Sequence, residues 1–312
     1  MALGGGTGLS TLLRGLKELT DSITAIVAVM DDGGSSGRLR EEMGVLPPGD
    51  IRDCLVALAD AEPLMKRLFE YRFDHGTCLG GHSFGNLFIA AMSAITGDFE
   101  LAVKESSRVL LVRGRVLPST LDSCQLWAKL VDGTEVFGES LISKSKARID
   151  HVYLDRDTCH PLPEALDAIA EADVIVIGPG SLYTSVIPNL LVQGVADSIR
   201  RARATRVYVC NVMTQPGETD GYSARDHVEA IISHAGDGLI DWVLVNSAPI
   251  SLEMQDKYSR ENAWPVRWDA DSLKELGLGV VEAPMASETE LVRHNPQALA
   301  REIIKLAERR QG

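Results

Sequence analysis

The stretch "MDDGGSSGRLRE", residues 30–41, closes a hydrophobic strand with two acids, two glycines and two serines, followed by two arginines. A second glycine cluster, "GGGTGLS" at residues 4–10, lies less than thirty residues upstream. Glycines between a strand and a helix let the backbone approach a phosphate and aim free N–H groups at it. Two such loops so close together indicate adjacent walls of one crevice in an α/β sheet that binds nucleotides.

Composition narrows the classes of partner. The chain has 312 residues, 45% of them hydrophobic, a net charge of −13 and a pI near 5.0, and its basic residues form no long run. Duplex nucleic acid and anionic membranes are therefore poor partners. An odd number of widely spaced cysteines predicts neither a disulfide framework nor a zinc site. With no signal peptide and no apolar run of membrane length, we expect a cytoplasmic protein.

Four near-continuous runs rich in valine and isoleucine predict buried parallel strands, at residues 25–30, 173–178, 206–212 and 241–246. Amphipathic helices alternate with them, and proline opens two of these helices at Pro163 and Pro296. This alternation predicts a Rossmann-like, doubly wound, mostly parallel sheet. Only three residues precede Gly4, so we expect either that strand one is very short or that the chain begins late.

One interruption breaks the alternation. Residues 124–140 predict a hairpin with Asp132 and Gly133 at its turn. We therefore expect a single nucleotide-binding domain over residues 1–312, with a possible small antiparallel annex at about residues 116–156.

Polar residues stand at the end of each predicted strand: residues 4–8 follow the short first strand, residues 31–38, 178–185 and 213–222 follow the next three, and the strand at 241–246 ends in Asn246. Ligands bind beyond the carboxyl ends of the strands in such sheets, so these loops are the candidate site. Residues 4–8 suit a phosphate, although they match neither the strict dinucleotide motif nor a P-loop. Residues 33–37 are able to form an anion nest that Arg38 would reinforce.

The two acids after the second predicted strand leave three interpretations open. Asp31 and Asp32 occupy the position of a ribose-binding acid in dinucleotide folds. Alternatively, the pair would hold Mg²⁺ between phosphates, or one of them would cap a helix. Nearby, Asp50 is predicted to cap the helix that it opens, while His82, Ser83 and Asn86 fit either capping or ligand binding.

Six blocks carry a family resemblance: "GGGTGLSTLLRGLK", "DDGGSSGRLRE", "LPPGDIRDCLVALAD", "GHSFGNLFIAAM", "IGPGSLYTSVIPNLL" and "CNVMTQPGETDGY". In this order they resemble the YvcK-type gluconeogenesis factor family, a branch of the group that contains 2-phospho-lactate transferase (CofD). The resemblance implies a cytoplasmic protein that binds UDP-sugars such as UDP-GlcNAc. It also implies a need for the protein in cell shape and cell-wall (peptidoglycan) synthesis on gluconeogenic carbon. It implies no settled catalytic activity.

The resemblance and the loop positions together give a set of predicted nucleotide-binding residues. Tyr258 and Arg293 enter as the counterparts of a tyrosine and an arginine that family members use for the sugar nucleotide. The full set is Gly4, Gly5, Gly6, Thr7, Gly8, Asp31, Asp32, Ser35, Ser36, Arg38, Asn86, Gly180, Ser181, Asn211, Thr214, Tyr258 and Arg293.

Three functional hypotheses follow. The first is a sugar-nucleotide sensor acting on an unidentified cell-wall or metabolic protein, with homo-oligomerisation open. The second is a transferase of a phosphoryl-linked group, in which Asp31 and Asp32 hold Mg²⁺. The third, an NAD-dependent dehydrogenase, is disfavoured because no hydride-transfer histidine and no tyrosine–lysine pair is evident. No other cofactor is implied.

Overall fold

Short apolar runs form the strands of the fold. The computed structural model describes residues 1–76, 78–145, 147–155 and 159–308. The strands are β1 Ala2–Gly4, β2 Thr24–Val27, β3 Arg115–Pro118, β4 Leu126–Leu130, β5 Glu135–Phe137, β6 Ile149–Leu154, β7 Val174–Ile177, β8 Thr205–Val209, β9 Trp242–Asn246, β10 Gly279–Ala283, β11 Ala286–Glu288 and β12 Val292–His294. All four strands predicted from the sequence are present.

Seven of these strands make one parallel sheet in the order β10-β9-β8-β7-β1-β2-β3. The short strand β1 lies inside the sheet, because Ala2 pairs with Ala25 of β2 on one side and with Val176 of β7 on the other. The predicted doubly wound parallel sheet is confirmed. Its strand order reverses next to β1, which places the switch point at the first glycine loop.

The helices follow the predicted leucine and proline signals. They are α1 Gly6–Leu16, α2 Gly34–Met43, α3 Gly49–Leu58, α4 Pro63–Glu70, α5 Phe84–Thr96, α6 Phe99–Val109, α7 Glu139–Ile142, α8 Pro163–Ala170, α9 Ile187–Leu191, α10 Val195–Arg201, α11 Ala224–Ala235, α12 Leu252–Ser259, α13 Ala270–Lys274 and α14 Pro296–Glu308, with a π-helical turn at Leu182–Val186 before α9. Proline occupies the first position of α8 and α14, as predicted.

Successive side chains of each strand pack alternately into two hydrophobic cores, one on each face of the sheet. On β2, Ala25 and Val27 face the core formed with α1, α3 and α14, whereas Ile26 faces the core formed with α8 to α11. Because strand side chains alternate between faces, burial on both sides requires the continuous apolar runs seen in the sequence. These helical layers fix the strands in place, and the loops that form the site follow the ends of those strands.

The insertion forms a separate three-stranded antiparallel sheet in the order β5-β4-β6. The predicted hairpin is present as β4 and β5, and Gly133 takes the positive φ of 86° that its turn requires. Strand β3, at the start of the predicted annex, belongs instead to the edge of the main sheet. We call β4, β5, α7 and β6 the annex below.

A disulfide joins Cys124 to Cys159, with the Cα atoms 6.3 Å apart. The expectation of no disulfide from cysteine number and spacing was therefore wrong. The two residues are 35 positions apart, and both are buried where the start of the annex meets the segment before α8. Their proximity is a product of packing, which cysteine spacing does not encode.

Among the described residues, no helix combines the length and the apolar character that a membrane crossing requires.

We expect Gly15→Ala to lower the free energy of unfolding by about 1–3 kcal/mol, a typical cost of overpacking. A Cβ at position 15 would overlap the Pro296 carbonyl oxygen and lie 3.0 Å from Ala300 Cβ, which would push α14 away from α1. Urea denaturation followed by tryptophan fluorescence measures the change. Leu19→Ala, at an exposed position beyond α1, is the control and should stay within about 0.5 kcal/mol. Equal midpoints for the two variants would contradict this packing argument.

Candidate functional site

A cleft of about 370 Å³ opens at the carboxyl ends of β1, β7 and β8. A larger cleft of about 560 Å³ lies at the opposite edge of the sheet, near the amino ends of β2 and β7. Ligands of open parallel sheets bind beyond the carboxyl ends at the switch point, so the smaller cleft is the candidate site. Ten of the predicted residues line it: Gly5, Gly6, Thr7, Gly8, Gly180, Ser181, Asn211, Thr214, Tyr258 and Arg293.

The floor of the cleft is the glycine loop at the start of α1. Gly5 precedes this helix in an extended conformation and has no side chain with which to cap it. Gly6 has a φ of +60°, and a Cβ on Gly8 would lie 2.6 Å from the Pro179 carbonyl oxygen. Glycine is therefore required for this loop to pass against the loop after β7. The result is an exposed helix N-terminus, which favours a bound anion.

Amide side chains fix the loops beside the glycine loop. Asn211 Nδ2 donates to the Gly180 carbonyl oxygen at 2.9 Å, and Gln215 Nε2 donates to Ser181 Oγ at 2.7 Å. These bonds hold the loop after β7 against the loop after β8. Both walls of the cleft are thus positioned by hydrogen bonds within the protein.

The remaining wall comes from distant sequence. Tyr258 lies on α12, and its hydroxyl accepts a hydrogen bond from the Val292 N–H at 2.9 Å. Arg293 follows on β12, with an exposed side chain that makes no ion pair within the described part of the chain. A small apolar cluster beneath them holds this wall, made of Val212, Met213, Ile250, Met254 and Val292. The two residues assigned by resemblance therefore meet at the same cleft.

The other predicted residues do not line the cleft. Gly4 lies behind it, where its carbonyl oxygen accepts from Asn189 Nδ2 at 3.0 Å. Asp31 Oδ1 accepts from the Gly33 N–H at 2.8 Å, and Asp32 Oδ1 accepts from the Ser140 N–H at 2.8 Å in the first turn of α7. Asp32 therefore caps an annex helix, which is one of the three interpretations left open above.

Ser35, Ser36, Arg38 and Asn86 make contacts within the protein. Ser35 Oγ lies 3.0 Å from His82 Nδ1 and accepts from Asn86 Nδ2 at 3.1 Å. Ser36 Oγ accepts from the Gly49 N–H at 3.2 Å, and Arg38 donates to the Gly80 carbonyl oxygen at 2.8 Å. These bonds tie α2 to the segments before α3 and α5.

A group of five carboxyls, which we call the acid cluster, occupies the other side of the glycine loop. Carboxylate oxygens of Asp31, Asp32 and Glu139 all lie within 4.8 Å of one another. Asp50 adjoins them and accepts a hydrogen bond from the Gly6 N–H. Glu218 completes the group, since it shares the hydroxyl of Ser143 with Glu139.

The prediction that Asp50 caps its own helix was wrong. Helix α3 begins at Gly49 after Pro48, without a side-chain cap, and the Asp50 carboxylate turns to the glycine loop instead. Sequence reasoning also missed Glu139 and Glu218. Glu218 lies inside the "CNVMTQPGETDGY" block, so its place in a family motif could have marked it as a candidate site residue. The burial of its carboxyl is evident only from the packing of the folded chain.

Burial raises the pKa of four of these carboxyls, Asp31 among them. Desolvation and the neighbouring charges of Asp31 and Asp53 raise the pKa of Asp50 to about 7. Desolvation and the charges of Asp31 and Asp32 raise the pKa of Glu139 to about 7. Glu218 also reaches about 7, through desolvation and the charge of Glu139. Near neutral pH the acid cluster therefore holds protons that a bound cation would displace.

The arrangement fits a hard divalent cation. Carboxylate oxygens are the ligands that Mg²⁺ prefers, and Asp31, Asp32 and Glu139 supply three of them. Glu218 Oε2 is buried and has no hydrogen-bond partner among the described residues. Such an atom is costly to bury unless it is protonated or bound.

Comparison with known proteins identifies the family of the chain. The family described as 2-phospho-L-lactate transferase CofD matches residues 1–286. The gluconeogenesis factor of Bacillus subtilis is 53% identical over 304 residues, covering 97% of this chain and 96% of that protein. The gluconeogenesis factor of Halalkalibacterium halodurans is 52% identical over 306 residues, covering 98% of this chain and 95% of that protein.

A solved structure shares the whole fold. The crystal structure of a UPF0052 family member from Bacillus halodurans superposes with a TM-score of 0.95 at 53% sequence identity. The match covers 97% of this chain and 98% of that one.

We expect Glu218→Gln to raise the free energy of unfolding at pH 8 by on the order of 2 kcal/mol and to leave it unchanged at pH 4. In the folded chain the pKa of Glu218 is about 7, above its usual value near 4. Between these values the folded state binds more protons than the unfolded state, so stability falls as pH rises. The amide removes that penalty. Urea denaturation at both pH values measures the difference.

Glu171→Gln, at an exposed position after α8, is the matched control and should show no such pH dependence. A Glu218→Gln variant no more stable than the wild type at pH 8 would contradict the buried-carboxyl interpretation.

Proposed function

Because the chain belongs to the gluconeogenesis factor family and has a CofD-like domain, we propose that it binds a UDP-sugar and regulates cell-wall synthesis. The ligand of this proposal resembles UDP-GlcNAc. The protein would act in the cytoplasm, where it would support cell shape and peptidoglycan synthesis during gluconeogenic growth.

The observation that carries the proposal is that Arg293 lines the same cleft as the start of α1. A diphosphate needs both hydrogen-bond donors and positive charge. The helix N-terminus supplies backbone N–H groups and a partial positive charge. Arg293 supplies a guanidinium, which makes no ion pair in the described part of the chain.

The other lining residues would each contact a different part of the ligand. Residues 5–8 with Gly180 and Ser181 would hold the diphosphate. Asn211 and Thr214 border the same space and offer an amide and a hydroxyl to a ribose or a base. Tyr258 would lie against the sugar end together with Arg293. Asp31 and Asp32 are left out of this assignment, because they do not line the cleft.

A second candidate function is a transferase of a phosphoryl-linked group. The acid cluster favours it, since Asp31, Asp32 and Glu139 present three carboxylates suited to Mg²⁺. The ion would stabilise negative charge that develops on a transferred phosphoryl group. Within the chain, Ser143 and Thr184 would orient Glu139 and Glu218 through their hydroxyls. Asp50 would link this cluster to the floor of the cleft through the Gly6 N–H.

Calorimetric titration of UDP-GlcNAc into wild-type protein and Arg293→Ala tests the first candidate. We expect the variant to bind about 10- to 100-fold more weakly, because a charge-assisted hydrogen bond to phosphate is lost. Arg201→Ala, at an exposed position at the end of α10 and away from the cleft, is the matched control and should bind like the wild type. The proposal fails if neither UDP-GlcNAc nor UDP-glucose binds the wild type.

Manganese, used as a paramagnetic substitute for Mg²⁺, tests the second candidate by electron paramagnetic resonance. We expect Asp31→Asn to weaken Mn²⁺ binding about tenfold or more, since one anionic ligand becomes neutral. Asp21→Asn, at an exposed position before β2, should have no effect. Absence of Mn²⁺ binding, together with intact UDP-GlcNAc after long incubation with Mg²⁺, would remove the transferase candidate. Calorimetry of UDP-GlcNAc without metal keeps the two outcomes separate.

A further inference from the structure

One acidic residue, Glu261, lines the candidate cleft. Among the described residues that border this space, no other is an aspartate or a glutamate, and no member of the acid cluster is included. The Glu261 side chain is exposed at the rim, just after the end of α12. A carboxylate repels the phosphates of a bound nucleotide. Its presence in this cleft therefore points to a part of the ligand that is not anionic.

Hydrogen bonds on both sides of Glu261 fix its place at the rim. The N–H groups of Glu261 and Ala263 both donate to the Tyr258 carbonyl oxygen at 3.0 Å. Asn262 between them has a φ of +60°, in the left-handed region that asparagine tolerates. Its Nδ2 donates to Asp220 Oδ1 at 2.9 Å. The turn that carries Glu261 is thus tied to α12 and to the loop after β8.

A second tie joins the end of this turn to Thr214, which also lines the cleft. The Thr214 N–H donates to the Trp264 carbonyl oxygen at 2.7 Å, and the Trp264 N–H donates to Thr214 Oγ1 at 2.9 Å. Because Thr214 lies in the loop after β8, these two bonds hold the turn to the main sheet. The backbone of Glu261 is therefore positioned by the protein itself.

The charge of Glu261 is not balanced by a cation of the protein. Within the described part of the chain its carboxylate makes no ion pair, and neither does the guanidinium of Arg293. The cleft therefore presents one positive and one negative side chain, both near Tyr258. A ligand that matches both is anionic where it meets Arg293 and offers hydroxyl donors, without further negative charge, where it meets Glu261.

We propose that Glu261 makes the cleft selective for nucleotide sugars whose sugar carries no negative charge. The inference rests on the function proposed above, in which the sugar lies against Tyr258 and Arg293. A neutral hexose donates hydroxyl hydrogen bonds to the Glu261 carboxylate, whereas a uronic acid brings a second carboxylate to the same place. Glu261 therefore acts through repulsion of the wrong sugar, which is a common source of specificity.

Calorimetric titration of UDP-glucose and UDP-glucuronate into the wild type tests the inference, because these ligands differ only in a hydroxymethyl group against a carboxylate. We expect UDP-glucuronate to bind about fivefold or more weakly, the effect of two like charges about 4 Å apart in water. In Glu261→Gln the two affinities should agree to within about twofold, chiefly because UDP-glucuronate binds more tightly. Added salt should narrow the difference in the wild type by screening the repulsion.

Glu253→Gln is the matched control, since Glu253 is an exposed acid in the first turn of α12 that does not line the cleft. It removes the same charge and should keep the wild-type ratio of affinities. Thermal melts followed by circular dichroism should coincide for both variants and the wild type.

Two results would overturn the inference and leave the proposed function standing. One is equal binding of UDP-glucose and UDP-glucuronate by the wild type, and the other is an unchanged ratio in Glu261→Gln. A wild type that binds no UDP-sugar at all would instead reject the proposed function, and this inference with it.

Discussion

The architecture of the site depends on one close approach of backbone to backbone, between the glycine loop at the start of α1 and the loop after β7. Gly8 leaves no room for a Cβ beside the Pro179 carbonyl oxygen. Asn189 fastens the same junction from below, by donating to the carbonyl oxygens of Gly4 and Ser185 at 3.0 and 2.7 Å. The glycine loop therefore separates the cleft on one side from the acid cluster on the other. Any side chain at position 8 would push the two loops apart and remove this separation.

The two sides of the glycine loop have opposite electrostatic character. The cleft side offers the N-terminus of α1 and the guanidinium of Arg293, which suits an anion. The other side gathers five carboxyls, of which Asp50, Glu139 and Glu218 have their pKa raised to about 7 by burial and by neighbouring carboxylates. Proton uptake makes so dense an acid cluster tolerable in a folded chain. Asp50 connects the two sides, since it accepts the Gly6 N–H that would otherwise face an anion.

Elements outside the main sheet contribute or support residues in and around the site. The wall that carries Tyr258 and Arg293 rests on a small apolar cluster of its own, beyond β9 and β10. The annex contributes Glu139, and Asp32 anchors it by capping α7 through the Ser140 N–H. Helices α4 and α5 lie outside the main sheet, where α5 supports the first turn of α2 through Asn86.

The sheet, its helical layers and the loops at its carboxyl edge were predictable from the amino-acid sequence, because strand burial, helix amphipathicity and turn glycines are encoded in a few neighbouring residues. The family was recognisable as well, and through it Tyr258 and Arg293 were chosen, which do meet at the cleft. The side of the glycine loop on which each polar residue lies depends on tertiary packing. Asp31 and Asp32 follow β2 as predicted, yet their carboxylates join Glu139 from the annex instead of lining the cleft. Tertiary packing also brings Glu218 close to Glu139 and pairs Cys124 with Cys159. These encounters join residues far apart in the chain, and their geometry depends on how whole elements pack, which no local pattern records.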